Sequence, residues 1–511
     1  MSLFHIPLHS TVIASMNHQD ACLESGSSTP EAELCVEFPI MEPLYPQKKK
    51  AYNKPPIYAE TMDQYETSYK LVRVKDTWNC VHADDVSVDE QNRVSESLIS
   101  QRLAPDNNGL SWSIEAPIRF SYNITECTNL LDPSNDVLIY GHLTTPEEVA
   151  AAKANPKKRR LVVMDETVSD IYGDKVEQYF RLNGFECTIF ALETTEETKN
   201  TESMLKIAEA INKFHPERRS EPIIAIGGGV CLDMVGLAAT LFRRRTPYIR
   251  VPTTLLSLVD ASVGAKTGVN FCECKNKLGA YVPPVAVYLD RSFLITVSRR
   301  HLSNGMGEIL KMALMKHREL FELLETHGQY LLDTQFQDDS PSLSNDGSHN
   351  NVAVKVVRLA IQTMIEELAP NLWEDDLDRL VDFGHLVSPA LEMKVLPALY
   401  HGEAVNIDMA YMCVVAYELG RLSLSQLKRI LSCMQALELP IYHPYCDSEL
   451  VKSALQTRFK HSGGKMRAPI PVGLGEAEIF NDIPTEVLER AEITWRQLSA
   501  SYVQEKRKLS R

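Results

Sequence analysis

The 511-residue chain has no uninterrupted apolar run of about eighteen residues, so no membrane-spanning helix is expected. A secretory leader is not expected either: Met1 to Met16 holds His5 and His9, has no basic start and has only broken apolar runs. Excess positive charge is missing too, with 53 Lys and Arg against 68 Asp and Glu for a net charge of −15. Such a field repels nucleic acid and anionic membranes as partners, while leaving room for a local basic pocket. The 11 cysteines are odd in number and have no repeated spacing, so a disulfide framework is not expected. Free thiols in a reducing compartment follow, and the cytoplasm with them. Cys272 and Cys274 form a C-x-C pair without a second pair downstream, which argues against a thiolate metal site. The Asn123-Ile124-Thr125 sequon has no role outside a secretory route. No internal repeat is found.

What is present sorts into three stretches. Residues 1–108 are rich in Pro, Ser, Glu and Asp, as in Ser27-Ser28-Thr29-Pro30-Glu31 and Pro55-Pro56, and show no sustained period of 2 or 3.6. A stretch that buries so little apolar surface does not offset its ordering entropy, so a mostly disordered extension is expected. Over 109–297, short β-branched runs alternate with helical patterns. The runs are Asp136 to Tyr140, Arg160 to Met164, Cys187 to Phe190 and Pro222 to Ile226. This alternation predicts an α/β domain with a mostly parallel, Rossmann-like sheet covered on both faces. Over 298–511 long helical patterns take over, for example Gly305 to Thr326, Val352 to Leu368 and Glu403 to Leu419, and a helical second domain is expected. Asp338 to Asn351 reads as a surface loop within it.

Ile226-Gly227-Gly228-Gly229-Val230 follows an apolar strand and opens a helix whose first turn carries Asp233. Glycines there let a backbone approach a pyrophosphate, and the helix N-terminus supplies N–H groups. The triplet is not the G-x-G-x-x-G fingerprint and serves equally as a plain turn. Asp165, after the strand Leu161 to Met164, suits either a ribose diol or the N-cap of the next helix, and both roles stay open. Glu196 and Lys199 are three residues apart and can share a face.

The segment from Arg244 to Asn276 contains Arg-Val-Pro-Thr-Thr-Leu-Leu, Val-Asp-Ala-Ser-Val-Gly-Ala-Lys-Thr-Gly-Val-Asn and then Lys275-Asn276. It resembles the core motif of the dehydroquinate synthase superfamily of sugar phosphate cyclases, and the resemblance runs from about Leu110 to Asp482. By that resemblance Asp165, Glu196, Lys199, Gly228, Gly229, Asp233, Thr253, Thr254, Lys275, Phe293 and Thr296 are expected to hold NAD. Asp260, Lys266, Lys275 and Asn276 would face the reaction centre and Arg244 the substrate phosphate. A phosphate leaving as a dianion needs cations aimed at its oxygens, and Arg and Lys supply them.

The helical part adds Glu308 in Asn304-Gly305-Met306-Gly307-Glu308, His385 in Asp382-Phe383-Gly384-His385 and His401 in His401-Gly402-Glu403, sixteen residues further on. These segments match the family's metal motifs. Two imidazoles and a carboxylate with an open position suit a catalytic divalent ion, zinc or cobalt. Lys311, one turn after Glu308, is expected to meet the substrate. The reaction implied is a transient NAD oxidation, β-elimination of phosphate, return of the hydride and an internal aldol closure, which makes a net lyase.

Some positions depart from dehydroquinate synthase itself. Pro389 stands where a second histidine is expected, Met364 where a lysine is expected, and Asp375-Asp376-Leu377-Asp378 is acidic although Arg379 adjoins it. A substrate carboxylate would meet repulsion there, so a neutral-ended sugar, sedoheptulose 7-phosphate, is expected. Asp382, His461, Gly264 to Phe271 and Tyr281-Val282-Pro283-Pro284 resemble the 2-epi-5-epi-valiolone synthase type. The desmethyl-4-deoxygadusol and dehydroquinate synthase types are the alternatives. Asp382 is expected among the catalytic groups, and Glu374 and His461 at the substrate. Gly307 replaces a usual Ala before the metal carboxylate, at a helix cost of about 1 kcal/mol, and a looser ligand is expected. Leu386-Val387 replace a usual Thr and aromatic. A net polyol dehydrogenase is the rival class, but it would not require Arg244, Lys266 and Lys275-Asn276 together. A homodimer is what the family implies.

Overall fold

The computed structural model describes residues 67–74, 77–82, 93–103, 110–337 and 352–509. The chain divides into two compact units, Met1–Ile118 and Arg119–Arg511. In the first, β1 (Thr67–Val74), β2 (Thr77–His82), β3 (Arg93–Leu103) and β4 (Leu110–Glu115) form an antiparallel sheet in the order β2-β1-β3-β4. Three of these strands lie within the 1–108 extension expected to be mostly disordered, the rest of which falls outside the described residues. Residues such as Tyr69, Val72, Trp78 and Val94 favour a pleated surface, and their signal is diluted by the Pro- and Ser-rich sequence around them.

The second unit begins with β5 (Asn123–Cys127), α1 (Val137–Tyr140), α2 (Pro146–Ala154), β6 (Arg159–Asp165) and α3 (Glu166–Leu182). Next come β7 (Glu186–Leu192), α4 (Thr201–Phe214), β8 (Ile223–Gly227), α5 (Gly229–Leu241), β9 (Tyr248–Pro252), the hairpin β10 (Lys266–Phe271) and β11 (Cys274–Tyr281), and β12 (Ala286–Asp290). The six-stranded sheet β5-β12-β9-β8-β6-β7 is parallel throughout. On β6 the alternation of the pleat is visible. Val162 and Met164 pack with Val176, Tyr179 and Phe180 of α3, whereas Leu161 and Val163 pack with Ile207 of α4 and Val235 of α5. Burial on both faces explains why these strands read as continuous apolar runs. The run Asp136 to Tyr140, expected as a strand, is instead the short helix α1. Leu138 and Ile139 are buried, but so short an apolar run does not distinguish strand from helix.

The helical part comprises α6 (Arg299–Lys316), α7 (Arg318–Asp333), α8 (Val352–Leu368), α9 (Ser388–Val395), α10 (His401–Glu418), α11 (Leu424–Ala436) and α12 (Ser448–His461). The hairpin β13 (Ala468–Gly473) and β14 (Glu476–Phe480) and the helix α13 (Thr485–Leu509) follow. The expected single helix from Gly305 to Thr326 is two. His317 leaves helical geometry at φ −136° and its Nδ1 accepts from Leu320 N at 3.2 Å, capping α7. Helices α6 and α10 are buried along nearly their whole lengths and form the centre of the core. The expected loop Asp338 to Asn351 lies outside the described residues.

Candidate active site

In the sheet, β7 lies on one side of β6 and β8 on the other, so the strand order reverses between β6 and β8. Ligands of open α/β sheets bind beyond the carboxyl ends at such a point. Asp165 ends β6 there, and Gly227-Gly228-Gly229 leads from β8 into α5. A Cβ on Gly227 would lie 2.7 Å from Cys231 Cβ, whereas at Gly228 it would meet only Thr254, at 3.4 Å. The turn is therefore tight on its inner side and bare outside, which fits a dinucleotide phosphate against the α5 amides. Asp165 takes the capping role: its Oδ1 accepts from Val168 N at 3.1 Å, and Oδ2 accepts from the Thr194 hydroxyl. The Thr253 hydroxyl is buried without a partner, and Thr254 Oγ1 lies 2.8 Å from Ser257 Oγ. Phe293 is a core ring packed edge-on against Tyr172 at 5.0 Å, and Thr296 Oγ1 lies 3.1 Å from the Tyr172 hydroxyl.

Lys199 gathers the next group. Its Nζ donates to Asp233 Oδ2 and to Asn276 Oδ1, both at 2.7 Å, rather than pairing with Glu196. Burial works against its charge, but the carboxylates of Asp233, Glu196 and Glu392 together outweigh this and the Lys199 pKa rises. Glu196 Oε1 instead accepts from Asn270 Nδ2 at 2.8 Å and stands 3.9 Å from Lys275 Nζ.

Glu308, His385 and His401 each offer a ligand atom, and these atoms all lie within 4.8 Å of one another. Glu308 comes from the buried centre of α6, and His401 is the first residue of α10. His385 follows Gly384, whose φ of +76° suits glycine and whose Cβ would strike Met409 and Val405. His385 Nδ1 lies 3.1 Å from the Phe383 carbonyl, and His401 Nδ1 lies 2.9 Å from Glu392 Oε2. Those bonds turn each Nε2 toward Glu308 Oε1, at 3.9 and 3.4 Å. Fixing Nδ1 in this way leaves Nε2 as the metal-facing nitrogen. Burial, followed by Lys311, pushes His385 down to about 3, so its ring is neutral. Both Glu308 oxygens are buried without a hydrogen bond of normal geometry, and Lys311 lies against Oε2 as an ion pair. This donor set fits a divalent cation.

Lys311 Nζ is also 3.4 Å from Asp260 Oδ2. Burial raises Asp260 to about 6 despite the opposing pull of Lys311, so this carboxyl can exchange a proton near neutrality. Lys275 Nζ donates to both oxygens of Glu392, at 2.5 and 2.6 Å, and lies 3.0 Å from His401 Nδ1.

A second charged cluster adjoins Asp382. Lys266 and Arg379 both ion-pair with Glu374, whose Oε2 also accepts from the Tyr281 hydroxyl at 2.8 Å. Asp382 pairs with Arg379 at 2.8 Å and with Arg458 at 2.7 Å. Burial opposes ionisation of Asp382, but the two guanidiniums prevail and hold it at about 2. Met364 is a buried core residue of α8, and Pro389 sits in the first turn of α9. Arg244 is exposed in the turn after α5 and takes part in none of these contacts. The thirteen residues of α5 carry that turn about 20 Å from Gly229. The His461 side chain lies outside the described residues.

Sequence reasoning missed Glu392 and Arg458, and named Tyr281 only as part of a family motif, without its contact to Glu374. A signal existed for Glu392: a carboxylate in the apolar stretch Ala390-Leu391-Glu392 needs a partner when buried. Gly307 also proves different from expectation. Its Cβ would lie 2.8 Å from the Gly402 carbonyl oxygen, so glycine brings α6 and α10 together at the cluster rather than loosening Glu308.

The 3-dehydroquinate synthase N-terminal family model matches residues 189–304, and the C-terminal model matches 305–460. The chain is 44% identical over 387 residues to a 2-epi-5-epi-valiolone synthase of an Actinomyces species, covering 76% of this chain and 98% of that one. A demethyl-4-deoxygadusol synthase of Trichormus variabilis is 36% identical over 346 residues, 67% of this chain and 83% of its own. The solved 2-epi-5-epi-valiolone synthase of Streptomyces hygroscopicus subsp. jinggangensis 5008, with NAD+ and Zn2+ bound, superposes with a TM-score of 0.69 at 42% identity. That match covers 76% of this chain and 99% of the solved one. With both halves of the family pattern matched in order, the His, His and Glu cluster assembled and a near full-length relative at 44% identity, the chain belongs to the 3-dehydroquinate synthase family of sugar phosphate cyclases.

Proposed function

We propose that this enzyme converts sedoheptulose 7-phosphate into 2-epi-5-epi-valiolone and inorganic phosphate, a net lyase reaction that feeds cyclitol- or gadusol-type biosynthesis. The observation that carries the substrate choice is the pairing of Lys266, Arg379 and Arg458 with Glu374 and Asp382. The charges nearly cancel, so a substrate carboxylate gains little there, while sugar hydroxyls find both donors and acceptors. The near full-length likeness to a valiolone synthase supports the product.

Glu308, His385 and His401 would hold zinc or cobalt. Asp165, Gly228, Gly229, Asp233, Thr253, Thr254, Glu196 and Lys199 would hold NAD, with Phe293 and Thr296 behind them. When bound, NAD supplies a transient hydride acceptor, and the metal polarises a substrate oxygen. Asp260, poised near neutrality against Lys311, moves protons at the reacting carbons. Lys266, Lys275 and Asn276 orient the sugar and its phosphate, the cations neutralising charge as phosphate departs. Asp382 and His461 bind hydroxyls, whereas Arg244, exposed beyond the far end of α5, is left out of the site. The assembly is a cytoplasmic homodimer.

The test is incubation of purified protein with sedoheptulose 7-phosphate, NAD and zinc or cobalt. Phosphate release at constant NADH, with valiolone identified by NMR, is expected. A deoxygadusol product would overturn the product assignment, turnover of only the carboxylated heptulosonate phosphate would overturn the substrate choice, and steady NADH accumulation would indicate a dehydrogenase.

A further inference from the structure

Glu392 on α9 is about 1% exposed, and its carboxylate is shared. It accepts from His401 Nδ1 at 2.9 Å and from Lys275 Nζ at 2.5 and 2.6 Å. His401 belongs to the metal cluster in the helical part. Lys275 belongs to β11 of the hairpin in the α/β part. We propose that Glu392 is a positioning residue that couples occupancy of the metal cluster to dinucleotide binding, acting through Lys275.

The physical path is short. A cation on His401 requires the Nε2 lone pair, and hence an Nδ1–H donated to Glu392. That bond fixes the Glu392 carboxylate, and the same carboxylate grips the Lys275 ammonium. Lys275 stands 3.9 Å from Glu196. The next residue, Asn276, accepts from Lys199, which holds Asp233, the fifth residue of α5. Ordering one end of this chain therefore lowers the cost of ordering the other. Such a coupling is reciprocal: NAD must tighten the metal by the factor by which the metal tightens NAD. A carboxylate that merely braced α9 against β11 would affect stability without linking the two ligands. The inference rests on the metal- and NAD-dependent reading given above.

The test measures zinc affinity by competition with a chromophoric chelator, with and without saturating NAD, and NAD affinity by calorimetry, with and without zinc. Wild type is expected to bind each ligand about fivefold or more tightly in the presence of the other. Glu392→Gln is expected to weaken zinc by about 10- to 100-fold and to abolish the mutual gain. Lys275→Met keeps the His401 bond to Glu392, so it should lose the mutual gain while its zinc affinity without NAD stays within about threefold of wild type. Thermal melts of the metal-free proteins identify a variant that has failed to fold, and Lys275→Met then carries the test alone. Zinc affinity in wild type that ignores NAD, or a full mutual gain in Lys275→Met, would overturn the coupling. Wild type that binds no zinc would overturn the metal reading itself.

Discussion

Gly307 and Gly402 bring α6 and α10 into backbone contact one residue before Glu308 and one residue after His401. A Cβ on Gly307 would lie 2.8 Å from the Gly402 carbonyl oxygen, and a Cβ on Gly402 would lie 1.9 Å from that of Asn304. The Gly402 amide also donates to Asn304 Oδ1 at 2.6 Å. Helix propensity alone would make Gly307→Ala stabilising by about 1 kcal/mol. Overpacking against backbone costs about 1–3 kcal/mol, so a net loss of stability and weaker zinc binding are expected. Gly402→Ala should be worse, and thermal melts with zinc titrations of both variants check the order. A more stable Gly307→Ala with undiminished zinc affinity would refute the close-approach account.

Lys311 is ion-paired with the buried Glu308. Lys311→Met takes the ammonium from a buried carboxylate and leaves it only the His385 and His401 rings, at a cost of about 3–5 kcal/mol. Zinc should restore much of that, since a divalent ion at Glu308 replaces the lost charge. Urea unfolding with and without zinc checks this, and a penalty of equal size in both conditions would count against the pairing.

Glu374 holds Lys266 and Arg379. Glu374→Gln frees Lys266 and leaves Arg379 to Asp382, and kcat/KM for sedoheptulose 7-phosphate should fall about 10- to 100-fold, the worth of a charge-assisted bond. Discrimination against a carboxylated heptulose phosphate should relax in the same variant. Competition kinetics with the two sugars gives the ratio, and an unchanged ratio would remove Glu374 from substrate choice.

His142 is partly buried with neither ring nitrogen bonded, and burial lowers its pKa from 6.5 to about 4. Between those values the unfolded chain takes up a proton that the folded protein refuses. The folded state is therefore disfavoured progressively as pH falls from 6.5 toward 4. Wild type should lose more stability than His142→Gln between pH 7 and pH 5 in urea melts. Parallel losses would show that His142 does not titrate as described.

The sequence by itself determined the elements whose signals are local. Strands β6 and β8 read as apolar runs because both faces are buried, α8 reads as a helix from its period, and α10 from the length of its apolar stretch. Residue type and motif order brought Glu308, His385, His401, Lys275 and Asn276 into view before any coordinates. Tertiary structure alone decided which charges meet. Lys199 chose Asp233 over nearby Glu196, and Glu392 found Lys275 from 117 residues away. It also turned 136–140 into a helix, broke the long helix at His317, and gave Gly307 a packing role. Periodicity and propensity act over a few residues, whereas the pairing of buried charges and the close approach of two helices depend on what the whole chain packs against them.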